Sequence, residues 1–189
     1  ALAAPGATLV GALLRRGLRR ARLVKLERIQ NRELWARYAQ ARHRVNLREG
    51  GDANEQLLFH GTCALTPKEV CTSDDGLDPR FSAGGFYGRG TYLAESAGYP
   101  VGGRYAHRVS GHNGARMQLL VVQAAAGAAQ EFGTCVNEAT KQMKMPELRE
   151  DGRRFDSVRA GPHRPAMSGP GDGGEGDAAP IGRVLYKAR

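Results

Sequence analysis

The sequence lacks the features that mark disulfide-rich, metal-binding and membrane-spanning proteins. Its three cysteines, Cys63, Cys71 and Cys135, are an odd and widely spaced set that forms neither a disulfide framework nor a paired-cysteine metal motif. No apolar run approaches the roughly 18 residues that are needed to span a bilayer. We therefore expect a protein with no transmembrane segment and no metal, in a reducing intracellular setting, either nuclear or cytoplasmic.

Length and composition are those of a globular protein. The chain has 189 residues, of which 41% are hydrophobic and 25% are charged, so it is long enough to bury a core. We expect one ordinary domain with extensions. Because the first residue is Ala1, we also expect a fragment or a processed product.

Positive charge is concentrated at the start of the chain. Residues 1–48 carry twelve Lys and Arg against two Glu, whereas the whole chain has a net charge of +9. We predict that residues 1–21 are a basic extension or linker and that the domain proper spans 22–189. Residues 1–48 could contact nucleic acid or another anionic surface, or form a solvated linker, and the Arg-rich first twenty could serve organelle import. If residues 1–20 form a helix, one of its sides is apolar and the other is basic. The apolar side carries Leu9, Val10, Leu13, Leu14 and Leu18, and the basic side carries Arg15, Arg16, Arg19 and Arg20.

Leu57–Thr62 is typical of a strand that delivers polar groups to its end, and Gly85–Ala94 is typical of a glycine-punctuated turn that leads into another short strand. Two such ends can share one cleft, in which His60 and Tyr92 supply hydrogen bonds and an aromatic wall. Gly61 has no Cβ and leaves room for a ligand to approach the backbone. We expect this cleft to bind a flat polar ring or a sugar, although the same residues taken singly are also typical of core packing.

The remaining sequence predicts a mixture of helices and strands. Asn31 is suited to cap a helix that runs to about Arg44 and that places Trp35 in the core. Thr66 and Pro67 can start a short helix, the first as its cap and the second at its first position.

The second half of the chain predicts strands and one irregular insertion. Residues 117–125 have the length and branching of a core strand, and residues 127–137 predict a turn and an edge region. Residues 159–180 are rich in glycine and include an acidic run, so we expect a disordered insertion there.

Several separated motifs resemble the catalytic domain of the poly(ADP-ribose) polymerase family, the diphtheria-toxin-like ADP-ribosyltransferases, and in particular its mono-ADP-ribosyltransferase branch. The resemblance rests on their order and spacing over residues 22–186. It implies an α+β fold, the ADP-ribosyltransferase fold, with two packed antiparallel or mixed β-sheets, flanking helices and an NAD cleft. The matching motifs are Arg28–Asn31 with Leu34, Trp35 and Tyr38, then Asn54–Glu55, Leu58–Thr62, Gly88–Ala94, Ser96, Tyr99 and Phe155–Val158.

The resemblance also implies roles for individual residues around NAD as co-substrate. His60 would hold a ribose hydroxyl of the adenosine, the Gly61 backbone would bind the nicotinamide carboxamide, and the Thr62 hydroxyl would help to hold the adenosine ribose. Arg80 matches an arginine that reaches the adenosine side from a loop over the dinucleotide. Tyr92 would pack by the nicotinamide ribose.

Two further residues complete the implied nicotinamide site. Tyr99 would stack on the nicotinamide ring, and Ser96 would donate a hydrogen bond to its carboxamide. Tyr92 and Tyr99 can then form a slot for a planar ring, since offset stacking contributes about 0.5–1.5 kcal/mol beyond area burial. No metal ligand is implied.

The C-terminus departs from the family pattern. Residues 182–186 match the strand that begins with the third residue of the family triad, a glutamate in polymerising members, so that Gly182 or Arg183 stands in its place. The family's last strand has no counterpart before Arg189. We therefore take His60, Tyr92 and the position of Gly182 as the catalytic set, and the missing carboxylate argues against polymer elongation.

The expected function is transfer of single ADP-ribose units from NAD to a protein acceptor, with release of nicotinamide. Two alternatives stay open. One is a catalytically inactive protein that binds NAD or ADP-ribose and releases no nicotinamide. The other is an interaction module tethered to nucleic acid through residues 1–48, whose affinity would fall steeply with salt.

Overall fold

The computed structural model describes residues 5–18, 21–78, 80, 82, 84–109, 116–161 and 183–185. These residues form helices and short strands, which confirms the predicted α+β class. The helices are α1 (Pro5–Gly17), α2 (Arg32–Arg48), α3 (Pro67–Thr72), α4 (Gly98–Gly102) and α5 (Glu138–Lys141). The strands are β1 (Glu55–His60), β2 (Thr91–Leu93), β3 (His107–Val109), β4 (Arg116–Gln118), β5 (Leu120–Ala125), β6 (Ala129–Gly133), β7 (Ser157–Ala160) and β8 (Arg183–Leu185).

The strands pair in an order that brings β1 and β2 together. β1 is antiparallel to β5, and β2, β8, β7 and β6 form a mixed four-stranded sheet in that order. A bridge between Phe59 and Ala94 joins the two sheets, with N–O distances of 2.7 and 2.8 Å in its two hydrogen bonds. The ends of β1 and β2 therefore lie side by side, as the predicted cleft requires.

The core lies on both faces of this joined sheet. Along β1, Leu58 and Phe59 are both buried but belong to different clusters, because successive side chains point to opposite faces. Leu58 packs with Leu93 and Ala124. Phe59 packs on the other face with a cluster that includes Tyr99.

The predicted start of α2 is confirmed, but the predicted burial of Trp35 is wrong. The side chain of Asn31 accepts hydrogen bonds from the amides of Glu33 and Leu34, as an N-cap does. Trp35 is 57% exposed and only tilts against Tyr38, with ring centroids 5.6 Å apart. No residue of α2 is fully buried, and Leu34 and Tyr38 on its apolar side are only partly covered.

The predicted start of α3 and most of the predicted core strand are confirmed. Thr66 and Glu69 form a reciprocal capping box, and Pro67 occupies the first turn. The strand predicted at 117–125 is divided into β4 and β5, which are separated by Leu119.

The last described strands match the predicted edge and C-terminal strand. β6 lies at the edge of the mixed sheet, within the region predicted at 127–137, and β8 lies within the predicted strand at 182–186. Of the segment predicted to be a disordered insertion, Arg159 and Ala160 complete β7. Residues 162–180 of that segment lie outside the described residues, as does Gly182.

The N-terminal helix α1 packs on the sheet. Leu13, Leu14 and Leu18 contact the cluster formed by Phe59, Ala94, Ala97 and Tyr99. Residues 21–31, which follow, belong to neither a helix nor a strand, and Val24 and Ile29 are exposed there. Among the described residues, no helix has both the length and the apolar character to cross a membrane.

Candidate functional site

His60 ends β1 and is held by the backbone of the neighbouring strand. Its Nδ1 atom lies 2.8 Å from the carbonyl oxygen of Tyr92. A carbonyl can only accept, so Nδ1 carries the proton and Nε2 presents a lone pair. Burial lowers the pKa of His60, against the opposing effect of the bond to Tyr92. The imidazole is therefore neutral at pH 7 and acts as a hydrogen-bond acceptor through Nε2.

Tyr92 is fixed through its hydroxyl as well as its carbonyl. The hydroxyl donates to the carbonyl of Gly88 at 2.8 Å and accepts from the amide of Tyr87 at 2.9 Å. Burial raises the pKa of Tyr92 to about 12. The phenol is thus neutral, and its hydroxyl closes the turn that precedes β2.

The turn before β2 depends on two glycines with different surroundings. A Cβ at Gly85 would lie 2.6 Å from the ring and hydroxyl of Tyr92. Gly88 has a φ of +70°, and a Cβ there would lie 1.8 Å from the carbonyl oxygen of Met143. Glycine at 85 therefore lets the Tyr92 ring fold against the turn, and glycine at 88 lets the turn dock on residue 143.

Four tyrosines gather around this turn and α4. Tyr99, on α4, is stacked on Tyr105 with centroids 5.9 Å apart and an interplanar angle of 24°. Burial raises the pKa of Tyr99, and the neighbouring phenols of Tyr105, Tyr92 and Tyr87 raise it further. Tyr87 is completely buried, and its hydroxyl donates to the carbonyl of Cys135 at 2.9 Å. Tyr92 and Tyr99, which the sequence singled out, are therefore close enough to influence each other.

Gly61 and Thr62 follow His60 directly. A Cβ at Gly61 would lie 2.4 Å from the carbonyl oxygen of Tyr105. The close backbone of Tyr105 therefore requires glycine at this position, independently of any ligand. No other described residue is hydrogen-bonded to the amide or carbonyl of Gly61. The hydroxyl of Thr62 donates to the carbonyl of Leu65 at 2.5 Å and keeps its lone pairs for a further donor.

Ser96 lies at the start of the segment that leads into α4. Its Oγ accepts a hydrogen bond from the amide of Gly98 at 3.2 Å. The end of α1 lies directly against it, because a Cβ at Gly17 would be 2.4 Å from this Oγ. The carbonyl of Gly17 in turn lies 2.7 Å from the position of a Cβ at Gly98.

Arg80 is tied to acidic residues of its own loop. Its Nε donates to Asp78 at 2.6 Å, and one of its terminal nitrogens donates to Asp75 at 2.6 Å. The carboxylate of Asp78, first, and then that of Asp75 raise the pKa of Arg80. The arginine side chain is 70% exposed, whereas that of Asp78 is only 2% exposed. The guanidinium is thus presented at the surface by a buried carboxylate.

The position predicted for the third triad residue, Gly182, lies outside the described residues. The strand that begins at Arg183 runs antiparallel between β2 and β7, with Val184 opposite Tyr92 on one side and Val158 on the other. β8 therefore lies next to the strand that carries Tyr92.

The structure thus brings together most of the residues singled out in the sequence. His60 meets the backbone of Tyr92, and Tyr92 and Tyr99 share a cluster of phenols. Sequence reasoning missed Tyr87 and Tyr105, although four of the six tyrosines fall within residues 87–105, which is a signal that could have pointed to them. It also missed the contact of α1 with Ser96, which no local pattern reveals.

The sequence profile of the poly(ADP-ribose) polymerase catalytic domain matches residues 11–152. The chain belongs to this family. The match covers β1, the loop of Arg80, the turn before β2, β2 and α4, whereas β8 lies beyond it. The chain therefore has the fold of this transferase family. The co-substrate of the family is NAD.

Relatives of this domain come from amoeba, mouse and human. A probable poly(ADP-ribose) polymerase of Dictyostelium discoideum is 37% identical over 101 residues, which are 52% of this chain and 29% of the relative. The protein mono-ADP-ribosyltransferase PARP11 of Mus musculus is 32% identical over 93 residues, 48% of this chain and 28% of the relative. For the protein mono-ADP-ribosyltransferase PARP14 of Homo sapiens the identity is 34% over 87 residues, 45% of this chain and 5% of the relative. The chain therefore spans less than a third of the length of each of these relatives.

Proposed function

We propose that this chain is an NAD-dependent mono-ADP-ribosyltransferase, which transfers one ADP-ribose unit from NAD to a protein acceptor and releases nicotinamide. The observation that carries the proposal is the contact of His60 Nδ1 with the carbonyl of Tyr92, 2.8 Å long, beside the phenol cluster of Tyr92 and Tyr99. The same family includes relatives named as mono-ADP-ribosyltransferases.

The role of His60 follows from its protonation state. Because Nδ1 donates to the backbone, Nε2 can accept a hydrogen bond from a ribose hydroxyl of the adenosine. A neutral imidazole in a half-buried position can bind this hydroxyl without adding a positive charge to the site. The pairing of His60 with backbone fixes the ring orientation before substrate arrives.

The proposal places nicotinamide between the rings of Tyr92 and Tyr99. Its carboxamide can bond to the amide and carbonyl of Gly61 and to the Oγ of Ser96. These groups hold the ring rigidly while it becomes the leaving group, and rigid positioning lowers the entropic part of the barrier. Thr62 and Arg80 serve the adenosine and diphosphate end, where a guanidinium suits phosphate oxygens.

The reaction breaks the glycosidic bond between the ribose anomeric carbon and the nicotinamide nitrogen, and the bonding electron pair leaves with nicotinamide. The positive charge on the nicotinamide ring is thereby neutralised, and the ribosyl centre becomes oxocarbenium-like, as in glycoside cleavage. An acceptor oxygen then forms the new bond at the anomeric carbon, losing its proton if it is protonated.

The acceptor is proposed to be an acidic side chain. Gly182 or Arg183 occupies the position of the family glutamate, so the chain offers no carboxylate there to assist the attacking group. A carboxylate acceptor is already ionised at pH 7 and needs no such assistance. Mass spectrometry of modified peptides tests this point: adducts confined to serine or arginine would contradict it.

Transfer of labelled ADP-ribose from NAD by the purified chain tests the proposed function. We expect single units on the acceptor, with incorporation reduced at least about 100-fold in both His60→Ala and Tyr92→Ala, the scale on which positioning and preorganised contacts act. Thr134→Ala, outside the site, is the control. Binding of NAD without any release of nicotinamide would support the alternative of an inactive NAD-binding protein.

A further inference from the structure

The C-terminal end of helix α1 lies next to the proposed nicotinamide site. Gly17 lies against the Oγ of Ser96 and against the backbone of Ala97 and Gly98, since a Cβ on Gly17 would come within 2.4, 3.0 and 2.8 Å of these three groups. The residue that was assigned to the carboxamide is therefore in direct contact with the N-terminal helix.

The apolar side of α1 covers the same region. Leu13, Leu14 and Leu18 pack on the cluster that contains Tyr99 together with Phe59, Ala94 and Ala97. Arg15, on the opposite side, is exposed. The helix thus places leucine side chains on the cluster that includes the tyrosine proposed to stack on nicotinamide.

The helix is built to be separable from the domain. It has 13 residues and contains Gly11, and isolated helices shorter than about 12–15 residues are marginal in water, so α1 depends on its packing to stay helical. Residues 21–31, which connect it to α2, form neither helix nor strand. Release of α1 therefore breaks no strand pairing in the described sheet.

We propose that α1 is an autoinhibitory plug that competes with the nicotinamide moiety of NAD for the surface formed by Ser96, Ala97 and Tyr99. The inference rests on the proposed function, because it assumes that nicotinamide binds at Ser96 and Tyr99. Docked α1 and bound nicotinamide exclude each other, so the measured affinity for NAD is the intrinsic affinity reduced by the fraction of molecules whose plug is released.

Two glycine substitutions in α1 form a matched pair that tests the plug. Gly17→Ala places a Cβ into Ser96 and Ala97, whereas a Cβ at Gly11 meets, among the described residues, only the flexible end of Arg15 at 3.5 Å. Both substitutions replace a poor helix former with a good one, so a difference between them reports docking and not helix propensity. The probes are nicotinamide affinity by calorimetry and the rate at which trypsin cuts after Arg15, followed by mass.

In Gly17→Ala we expect faster cleavage after Arg15 and an affinity for nicotinamide increased on the order of tenfold, the gain when a competent state of about 10% becomes dominant. Gly11→Ala should keep the wild-type values. Equal cleavage and equal affinity in the two variants would overturn the plug while leaving the proposed function intact. Failure of all three proteins to bind nicotinamide would overturn both proposals.

The wild-type chain provides a test that does not depend on the folding of a variant. Saturating nicotinamide should displace α1 and accelerate cleavage after Arg15 several-fold, as expected for two mutually exclusive occupants. An inert sugar at the same concentration in the same buffer is the control. A cleavage rate that nicotinamide leaves unchanged, although calorimetry shows it to be bound, would contradict the plug.

Discussion

The two ends of the proposed NAD site are held by different forces. At the nicotinamide end, the hydroxyl of Tyr92 is fixed by bonds to the backbone of Tyr87 and Gly88 at 2.9 and 2.8 Å, within a buried cluster. At the adenosine end, the exposed guanidinium of Arg80 is held by ion pairs with Asp75 and with the buried Asp78. Backbone bonds in a buried setting are insensitive to salt, whereas exposed charges are screened by it. The first end is preorganised by the fold, and the second can exchange its partners for phosphate.

The largest effect on stability is expected from Gly88→Ala, in the turn that fixes Tyr92 at the nicotinamide end. The change forces an L residue to a φ of +70° and drives a Cβ to 1.8 Å from the carbonyl oxygen of Met143. We expect a loss of about 2–5 kcal/mol in the free energy of unfolding, from backbone strain and overpacking together. Urea unfolding measures it.

Gly84→Ala is the matched control for this prediction, because a Cβ there meets no atom of the described residues within 4 Å and Gly84 has no positive φ. It should change the unfolding free energy by less than about 1 kcal/mol. Similar losses in the two variants would show that the docking of the turn on Met143 is not what fixes Tyr92.

A smaller effect is expected from the protonation of His60. Burial lowers the pKa of His60 in the folded chain below its ordinary value of 6.5, so the unfolded chain takes up the proton first as the pH falls. The stability contributed by the neutral imidazole is complete above pH 6.5 and is lost as the pH falls through 6.5 towards the folded pKa.

Urea unfolding between pH 7.5 and 5 checks the sign. The wild-type chain should lose stability towards pH 5, and His60→Gln, which cannot titrate, should lose less. A slope that is the same in both proteins would contradict the assignment of a buried neutral His60. The range lies above the ordinary pKa of carboxylates, which keeps acid residues out of the comparison.

The smallest effect on stability is expected at the adenosine end. Arg80→Gln removes the ion pairs with Asp75 and with the buried Asp78, but the guanidinium is largely exposed and Asp78 keeps the hydrogen bond from the backbone amide of residue 80, so we expect a small loss in folding stability. If the guanidinium exchanges its carboxylates for the diphosphate of NAD, the same change should raise KM for NAD by about tenfold and reduce its salt dependence.

Arg37→Gln is the matched control, since Arg37 also contacts Asp75, at 3.5 Å, but from α2. It should leave KM for NAD at the wild-type value. Equal effects of the two substitutions on KM would indicate that the charge of Asp75, and not a contact from Arg80, controls affinity at this end.

The helix starts that the sequence predicted correctly depend only on residues close to one another in the chain. The cap at Asn31 and the capping box at Thr66 involve residues within three positions of each other, so a single sequence contains all the partners. The strand that ends in His60 was recognisable for the same reason. The shared cleft of His60 and Tyr92 was inferred from the two polar strand ends, whereas their roles toward NAD came from the family resemblance.

The features that escaped prediction depend on partners distant in the chain. Trp35 sits at a helical spacing typical of core residues, yet whether anything covers that side of α2 is decided by the tertiary fold. Gly88 reads as an ordinary turn glycine until Met143 is placed beside it. The contact of Gly17 with Ser96 is likewise invisible in sequence, because each residue is unremarkable in its own segment.

The bond between His60 and the carbonyl of Tyr92 has a consequence for how the site can change over evolution. A histidine oriented by a carboxylate can lose its partner through one substitution, whereas every amino acid placed at position 92 supplies the same carbonyl oxygen. The tautomer of His60 is therefore fixed by the sheet backbone and does not depend on the side chain at position 92. Selection at position 92 is left to act on the ring and its hydroxyl alone.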